Sequence, residues 1–175
     1  MNEMTLDFAG ETLRFAFGET ALGHVLVARS ERGVAAILLG ADRSQLRRDL
    51  AAGFPSTRLQ EDEHGLAATV AAVAALIAAP KRGLDLPLDL RGTEQERAVW
   101  QALRAIPPGE TRNYGSIAKS LPVPATAQDV GAACAANRLA VAIPCHRLVK
   151  ADGSIAGYRW GVRRKRQLIA LEQAG

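Results

Sequence analysis

Along the first half of the chain, apolar positions come in short runs broken by turn residues and then switch to helical spacing. Residues 12–17, 24–28 and 34–39 read as three β-strands, with Glu31, Arg32 and Gly33 forming the hairpin turn between the last two. Asp42 can cap a helix running to about residue 52, because Leu46, Leu50 and Phe54 then share one face. A fourth strand is predicted at 57–60, and an alanine-rich helix over 63–79 ends at Pro80. Residues 84–90, rich in Leu, Asp and Pro, read as an extended connector. The expected unit is a small αβ subdomain with an antiparallel sheet over residues 1–90, and nothing in it looks catalytic.

The second subdomain, 91–175, is mostly helical. Thr93 with Glu96 three residues on is a capping box, opening a helix to about residue 106 with Val99, Trp100, Leu103 and Ile106 at core spacing. Pro107, Pro108 and Gly109 end it. Helices over 114–121 and 126–136, separated by Pro122-Val123-Pro124, form a helix-turn-helix pattern. The second of these consists mostly of Ala and Gly, so it can approach another surface closely; Cys134 within it reads as a core residue. An amphipathic helix over 162–172 closes the chain, with Leu168, Ile169 and Leu171 apolar and a basic run at 163–166.

A chain of 175 residues with 48% hydrophobic content suits one unit or two small subdomains. The apolar stretch at 66–79 is too short to span a membrane. Met1-Asn2-Glu3-Met4 lacks the basic start of a signal peptide, and only two cysteines are present, so no disulfide framework and no paired-cysteine zinc site is expected. A reducing, cytoplasmic setting is the expectation. Charge is uneven: residues 1–92 hold 10 Lys/Arg against 12 Asp/Glu, a net of −2, while residues 93–175 hold 12 against 6, a net of +6. The basic half is either a solvated face or a surface for a polyanion.

In that half, the apolar, strand-like run Leu139–Ile143 leads into Pro144-Cys145-His146-Arg147. A thiol reacts as thiolate and titrates near pH ~8.5 unaided, so a neighbouring base and cation are what an active cysteine needs. Taken alone, the Cys-His pair is equally compatible with a buried core cysteine.

Five segments in order resolve the choice: Val99-Trp100-Gln101-Ala102-Leu103-Arg104, the helix-turn-helix with Tyr114, Ala133-Cys134-Ala135-Ala136-Asn137, Ile143-Pro144-Cys145-His146-Arg147 and Gly157-Tyr158-Arg159-Trp160-Gly161. With Ser30-Glu31-Arg32-Gly33 and Leu84–Asp89 they resemble the O6-alkylguanine-DNA alkyltransferase family over nearly the whole chain. The resemblance implies an α+β fold with a ribonuclease-H-like sheet in the first subdomain. It also implies stoichiometric, single-turnover transfer of an alkyl group from O6 of a flipped guanine to Cys145, without cofactor or metal. His146, acting through a water, takes the proton and Glu172 orients it; Tyr114 hydrogen-bonds the base; Asn137 braces the active-site segment. Backbone at Cys145 and Leu148 receives the guanine amine, and Tyr158, Arg159 and Trp160 close the pocket. The partner is double-stranded DNA carrying O6-alkylguanine, bound by a monomer through the minor groove. Ala127, Gln128, Gly131 and Ala135 face it, with Arg112, Lys119, Arg138, Arg147 and Lys150 as DNA contacts. Two positions depart from the family pattern: Gln128 replaces the arginine that fills the space of the flipped base, and Glu94-Gln95-Glu96 stands where a Phe is usual. The alternative is an alkyltransferase-like protein that binds the lesion with weak or no transfer. A gene regulator lacks the metal-binding cysteines it would need here, and a thiol hydrolase lacks a separate substrate-binding region.

Overall fold

The computed structural model describes residues 10–174; the N-terminal residues considered for a signal peptide lie outside them. Strands β1 (Thr12–Thr20), β2 (Gly23–Ser30) and β3 (Gly33–Gly40) form an antiparallel meander. Helix α1 (Arg43–Gly53) comes next, capped by Asp42, whose Oδ1 accepts from Ser44 N at 2.7 Å. Then come β4 (Arg58–Glu61) and α2 (Ala67–Ala78). The sheet order is β3-β2-β1-β4. The predicted antiparallel sheet is therefore mixed, because β4 lies parallel to β1, with Thr12 opposite Arg58. Crossing over through α1 brings β4 in along the same direction as β1. Helix α2 starts four residues later than the pattern predicted, since Asp62 accepts from Gly65 N at 2.9 Å and closes a turn first.

The outer edge of β3 is where the two halves of the chain join. Val34 N donates to Pro87 O at 2.9 Å, and Asp89 N donates to Val34 O at 2.8 Å. Further along, Ile37 N donates to Arg138 O at 2.8 Å and Ala140 N to Ile37 O at 2.9 Å. An edge with open N–H and C=O groups is thus satisfied by the connector and by the segment leading to Cys145. Gly33 permits the first of these contacts: its φ is 147°, and a Cβ there would stand 2.3 Å from the Pro87 carbonyl oxygen.

The second half holds α3 (Glu94–Arg104), β5 (Arg112–Asn113), α4 (Tyr114–Ser120), α5 (Ala127–Ala136), β6 (Leu148–Val149) and α6 (Val162–Ala174). The Thr93–Glu96 capping box forms in both directions, and Thr126 with Asp129 makes a second one at α5. At the other end of α5, Asn137 N–H bonds to Cys134 O, and the Ala133 carbonyl instead accepts from the buried Trp100 indole at 2.9 Å. That bond ties α3 to the helix-turn-helix. The run 139–143, predicted as strand-like, is a tight turn. Ala142 N bonds to Ala140 O, Ile143 N to Leu139 O, and Val141 takes a φ of 69°. Cys145–Arg147 form one turn of 3-10 helix. The short parallel pair β5–β6 then fastens Leu148 and Val149 to the residues that open α4.

Helix α6 docks through charge as well as apolar surface. Glu172, buried on its last turn, receives His146 and Arg147. Burial alone would raise the Glu172 carboxyl; hydrogen bonds from His146 and Arg147 overrule it and hold it at about 2.

Trp100→Phe removes the indole donor and leaves the Ala133 carbonyl unpaired, so a loss of about 1–3 kcal/mol is expected in chemical denaturation. An unchanged midpoint would remove the bond from the account of how α3 and α5 are held. The Glu172 cluster gives a second expectation. An unfolded glutamate protonates near ~4.3. The ionised Glu172 therefore stabilises the fold above that pH, and the stabilisation, on the order of 3 kcal/mol, is lost as pH falls from there towards about 2. His146, whose pKa burial lowers, favours the fold as neutral imidazole and adds to the loss below pH ~6.5. Denaturation of the wild type and Glu172→Gln across this range tests it: the acid slope should be shallower in the variant, which is weaker at neutral pH.

Candidate active site

Cys145 sits at the first position of its 3-10 turn with 4% of its surface exposed. Its Sγ accepts from Asn137 Nδ2 at 3.3 Å. The same amide donates to Ile143 O at 3.2 Å, while Asn137 Oδ1 accepts from Leu139 N at 2.8 Å. Asn137 is the C-cap of α5, so one buried side chain fixes the turn 139–143 and touches the sulfur. Burial pushes the Cys145 thiol well above its ordinary range; the adjacent Cys134 thiol adds to this, while Asn137 and the Lys165 charge oppose it. The resting group is a thiol.

His146 is fully buried beside it. Its Nε2 lies 2.6 Å from Glu172 Oε1, and its Nδ1 has no hydrogen-bonding partner. With Glu172 ionised, Nε2 must carry the proton and donate. Burial lowers the imidazole pKa despite the glutamate, so the ring is neutral and Nδ1 presents a lone pair. The residue next to Cys145 in the 3-10 turn thus carries a neutral imidazole whose second nitrogen makes no hydrogen bond.

Arg147, a DNA contact by the resemblance, is turned inward instead. It is 7% exposed, with Nε 3.1 Å from both Glu172 oxygens, Nη2 2.8 Å from Oε1 and Nη1 donating to Ile106 O at 2.7 Å. All three nitrogens are engaged, and the cation holds the carboxylate that holds the histidine. Arg138 is likewise drawn in: Nη1 donates to Arg91 O at 3.2 Å and its guanidinium lies over the Phe54 ring.

Around the thiol, Tyr114 stands at the start of α4, half-buried, its hydroxyl raised to about 12 by burial, so it remains a donor. The Tyr158 hydroxyl is buried without a partner, and its ring meets His146 and Trp160 edge-on. The Arg159 guanidinium bonds to the Asn137 carbonyl and lies over Trp160, fastening the 157–161 loop to the end of α5. Leu148 is fully buried, and its N–H closes the turn onto the Cys145 carbonyl.

On the outer face of α5, Ala127, Gln128, Ala132 and Ala135 are exposed, and nothing lies within 4 Å of where a Gly131 Cβ would stand. Asp129 is not aimed outward; its carboxylate accepts from Thr126 N at 2.8 Å in the capping box. Arg112, Lys119 and Lys150 are exposed, Arg112 with its Nη2 3.1 Å from Glu110. Gln95, in the segment that departs from the family pattern, donates to Pro124 O at 3.1 Å and steadies the helix-turn-helix break.

The sequence reading missed Lys165. Counted within a basic run, it is completely buried, its Nζ 3.5 Å from Gly157 O and 6.0 Å from the Tyr114 ring centre, near both thiols. Burial lowers its pKa. The signal was its spacing: 165, 168 and 172 share one face of a helix, the face that carries Leu168 and Glu172.

Residues 94–174 match the family described as 6-O-methylguanine DNA methyltransferase, DNA binding domain. The chain is 46% identical over 165 residues to the bifunctional transcriptional activator/DNA repair enzyme Ada of Escherichia coli, covering 93% of this chain and 47% of Ada. It thus spans about half the length of that relative. It is 43% identical over 113 residues to the methylated-DNA–protein-cysteine methyltransferase of Mycolicibacterium paratuberculosis, covering 65% of this chain and 68% of that protein. Among solved structures, Mycobacterium tuberculosis OGT in complex with DNA matches with a TM-score of 0.76 at 31% identity, over 92% of this chain and 93% of that one. With its thiol and neutral imidazole carried on this shared fold, the chain belongs to the methylated-DNA–protein-cysteine methyltransferase family.

Proposed function

We propose that this protein repairs double-stranded DNA by moving an alkyl group from O6 of guanine to Cys145, once per molecule. The observation that carries this reading is the open Nδ1 of a neutral His146 beside a thiol that burial keeps protonated. Such a thiol cannot attack unless its proton leaves as the new bond forms, and His146, through a water, takes it. The S–C bond forms as the C–O6 bond breaks, and the pair of electrons released to the base is neutralised by a proton delivered at the Tyr114 side. Guanine leaves uncharged. The thioether is stable, so the protein is consumed.

A base inside a duplex cannot reach a sulfur this buried, so it must swing out of the stack. The alanine face of α5 suits the shallow approach of the minor groove, where little sequence information is read. That is the right property for repair at any position. Gln128, exposed at the second position of α5, then fills the gap in the stack with an amide rather than a cation. Binding without transfer is the competing reading, and Cys145 with its base favours transfer.

Incubation with duplex DNA carrying radiolabelled O6-methylguanine should move label to the wild-type protein in a stoichiometric burst and leave Cys145→Ala unlabelled. Lesion bound by the wild type with no label transferred would select the binding-only reading. Gln128→Arg should lower the Kd for duplex DNA several-fold and steepen the slope of log K against log salt by roughly one. If neither moves, position 128 does not contact the duplex.

A further inference from the structure

The transfer uses one thiol, yet the site contains two. Cys134 lies one helical turn before Asn137, so both project from the same face of α5. Asn137 reaches Cys145 Sγ at 3.3 Å, which sets that face against the acceptor. The Cys134 and Cys145 thiols lie within electrostatic reach of each other, and the buried Lys165 ammonium acts on both. Cys134 is partly exposed while Cys145 is buried, so an oxidant in solution meets Cys134 first.

We propose that Cys134 and Cys145 form a reversible disulfide when the protein meets a hydroperoxide, and that this shields the acceptor sulfur from deeper oxidation. In the first step the Cys134 sulfur attacks one peroxide oxygen. The O–O bond breaks, Cys134 becomes a sulfenic acid, and one water is released with the thiol proton. The Cys145 thiol then gives its proton to His146, its sulfur attacks the Cys134 sulfur, the S–O bond breaks, and hydroxide leaves and is protonated to a second water. Two thiols and one hydrogen peroxide become one disulfide and two waters. A dithiol reductant returns both thiols by exchange. Oxidised protein cannot accept an alkyl group, because Cys145 in the disulfide has no thiol to yield the attacking thiolate. That consequence rests on the acceptor reading above, whereas the disulfide itself does not.

The wild-type protein is treated with hydrogen peroxide, denatured, capped with iodoacetamide and measured by intact and peptide mass spectrometry. The expected species is a monomer lighter by two hydrogens, with neither cysteine capped and a peptide joining residues 134 and 145. Label transfer should fall at least about tenfold and return with dithiothreitol. Cys134→Ser should transfer normally before peroxide, give no cross-linked peptide, and lose transfer in a way that dithiothreitol does not restore. Free or separately oxidised thiols in the wild type, a disulfide between two molecules, or equal rescue of Cys134→Ser would each overturn the proposal, whatever the protein does to methylated DNA.

Discussion

Asn137 is the constraint on which the site depends. Its main chain ends α5, its amide oxygen holds Leu139 N, and its amide nitrogen bridges the Ile143 carbonyl and the Cys145 sulfur. Its carbonyl anchors Arg159 and hence the 157–161 loop. Helix α5, the turn carrying Cys145 and the 157–161 loop therefore meet at one buried amide. In a dry interior a fully satisfied side-chain amide is directional, and its geometry allows few alternatives. Val141, held at a φ of 69°, shows how tightly the turn between Asn137 and Cys145 is wound.

The electrostatics divide between an inner and an outer set of charges. Inside, Arg147 neutralises Glu172, Glu172 orients His146, and the Lys165 charge acts on both thiols. Each buried charge has a partner or a chemical task, as the cost of desolvation requires. Outside, α5 offers alanines and a glycine, and Arg112, Lys119 and Lys150 are exposed. The excess of positive charge in the second half thus serves two purposes, and only part of it is available to a polyanion.

The N-terminal sheet contributes no reacting group, yet it positions the site. The edge of β3 supplies the hydrogen bonds that hold Arg138 and Ala140, on either side of Leu139. Without that edge the turn before Cys145 would carry open backbone groups into the interior. The coupling runs through main-chain atoms, so it places few demands on which side chains the sheet displays.

Much of this was legible in the sequence. Periodicity located every long helix and the first three strands, because apolar spacing reflects which face is buried. The capping box at Thr93 and the small residues leading to Asn137 were visible locally, and the order of motifs led to Cys145, His146, Glu172, Tyr114 and Asn137. What stayed hidden depends on distance through space. The parallel placement of β4, the two-residue strands β5 and β6, and the turn at 139–143 have no local period to betray them. A charged side chain reads the same in sequence whether it meets a phosphate or a buried carboxylate. Only tertiary packing turned Arg147 inward to Glu172, sank Lys165 beneath Tyr114 and brought Cys134 within electrostatic reach of Cys145. Sequence determined which groups are present and which elements carry them. The fold decided which charges are removed from water, and so which are left at the surface.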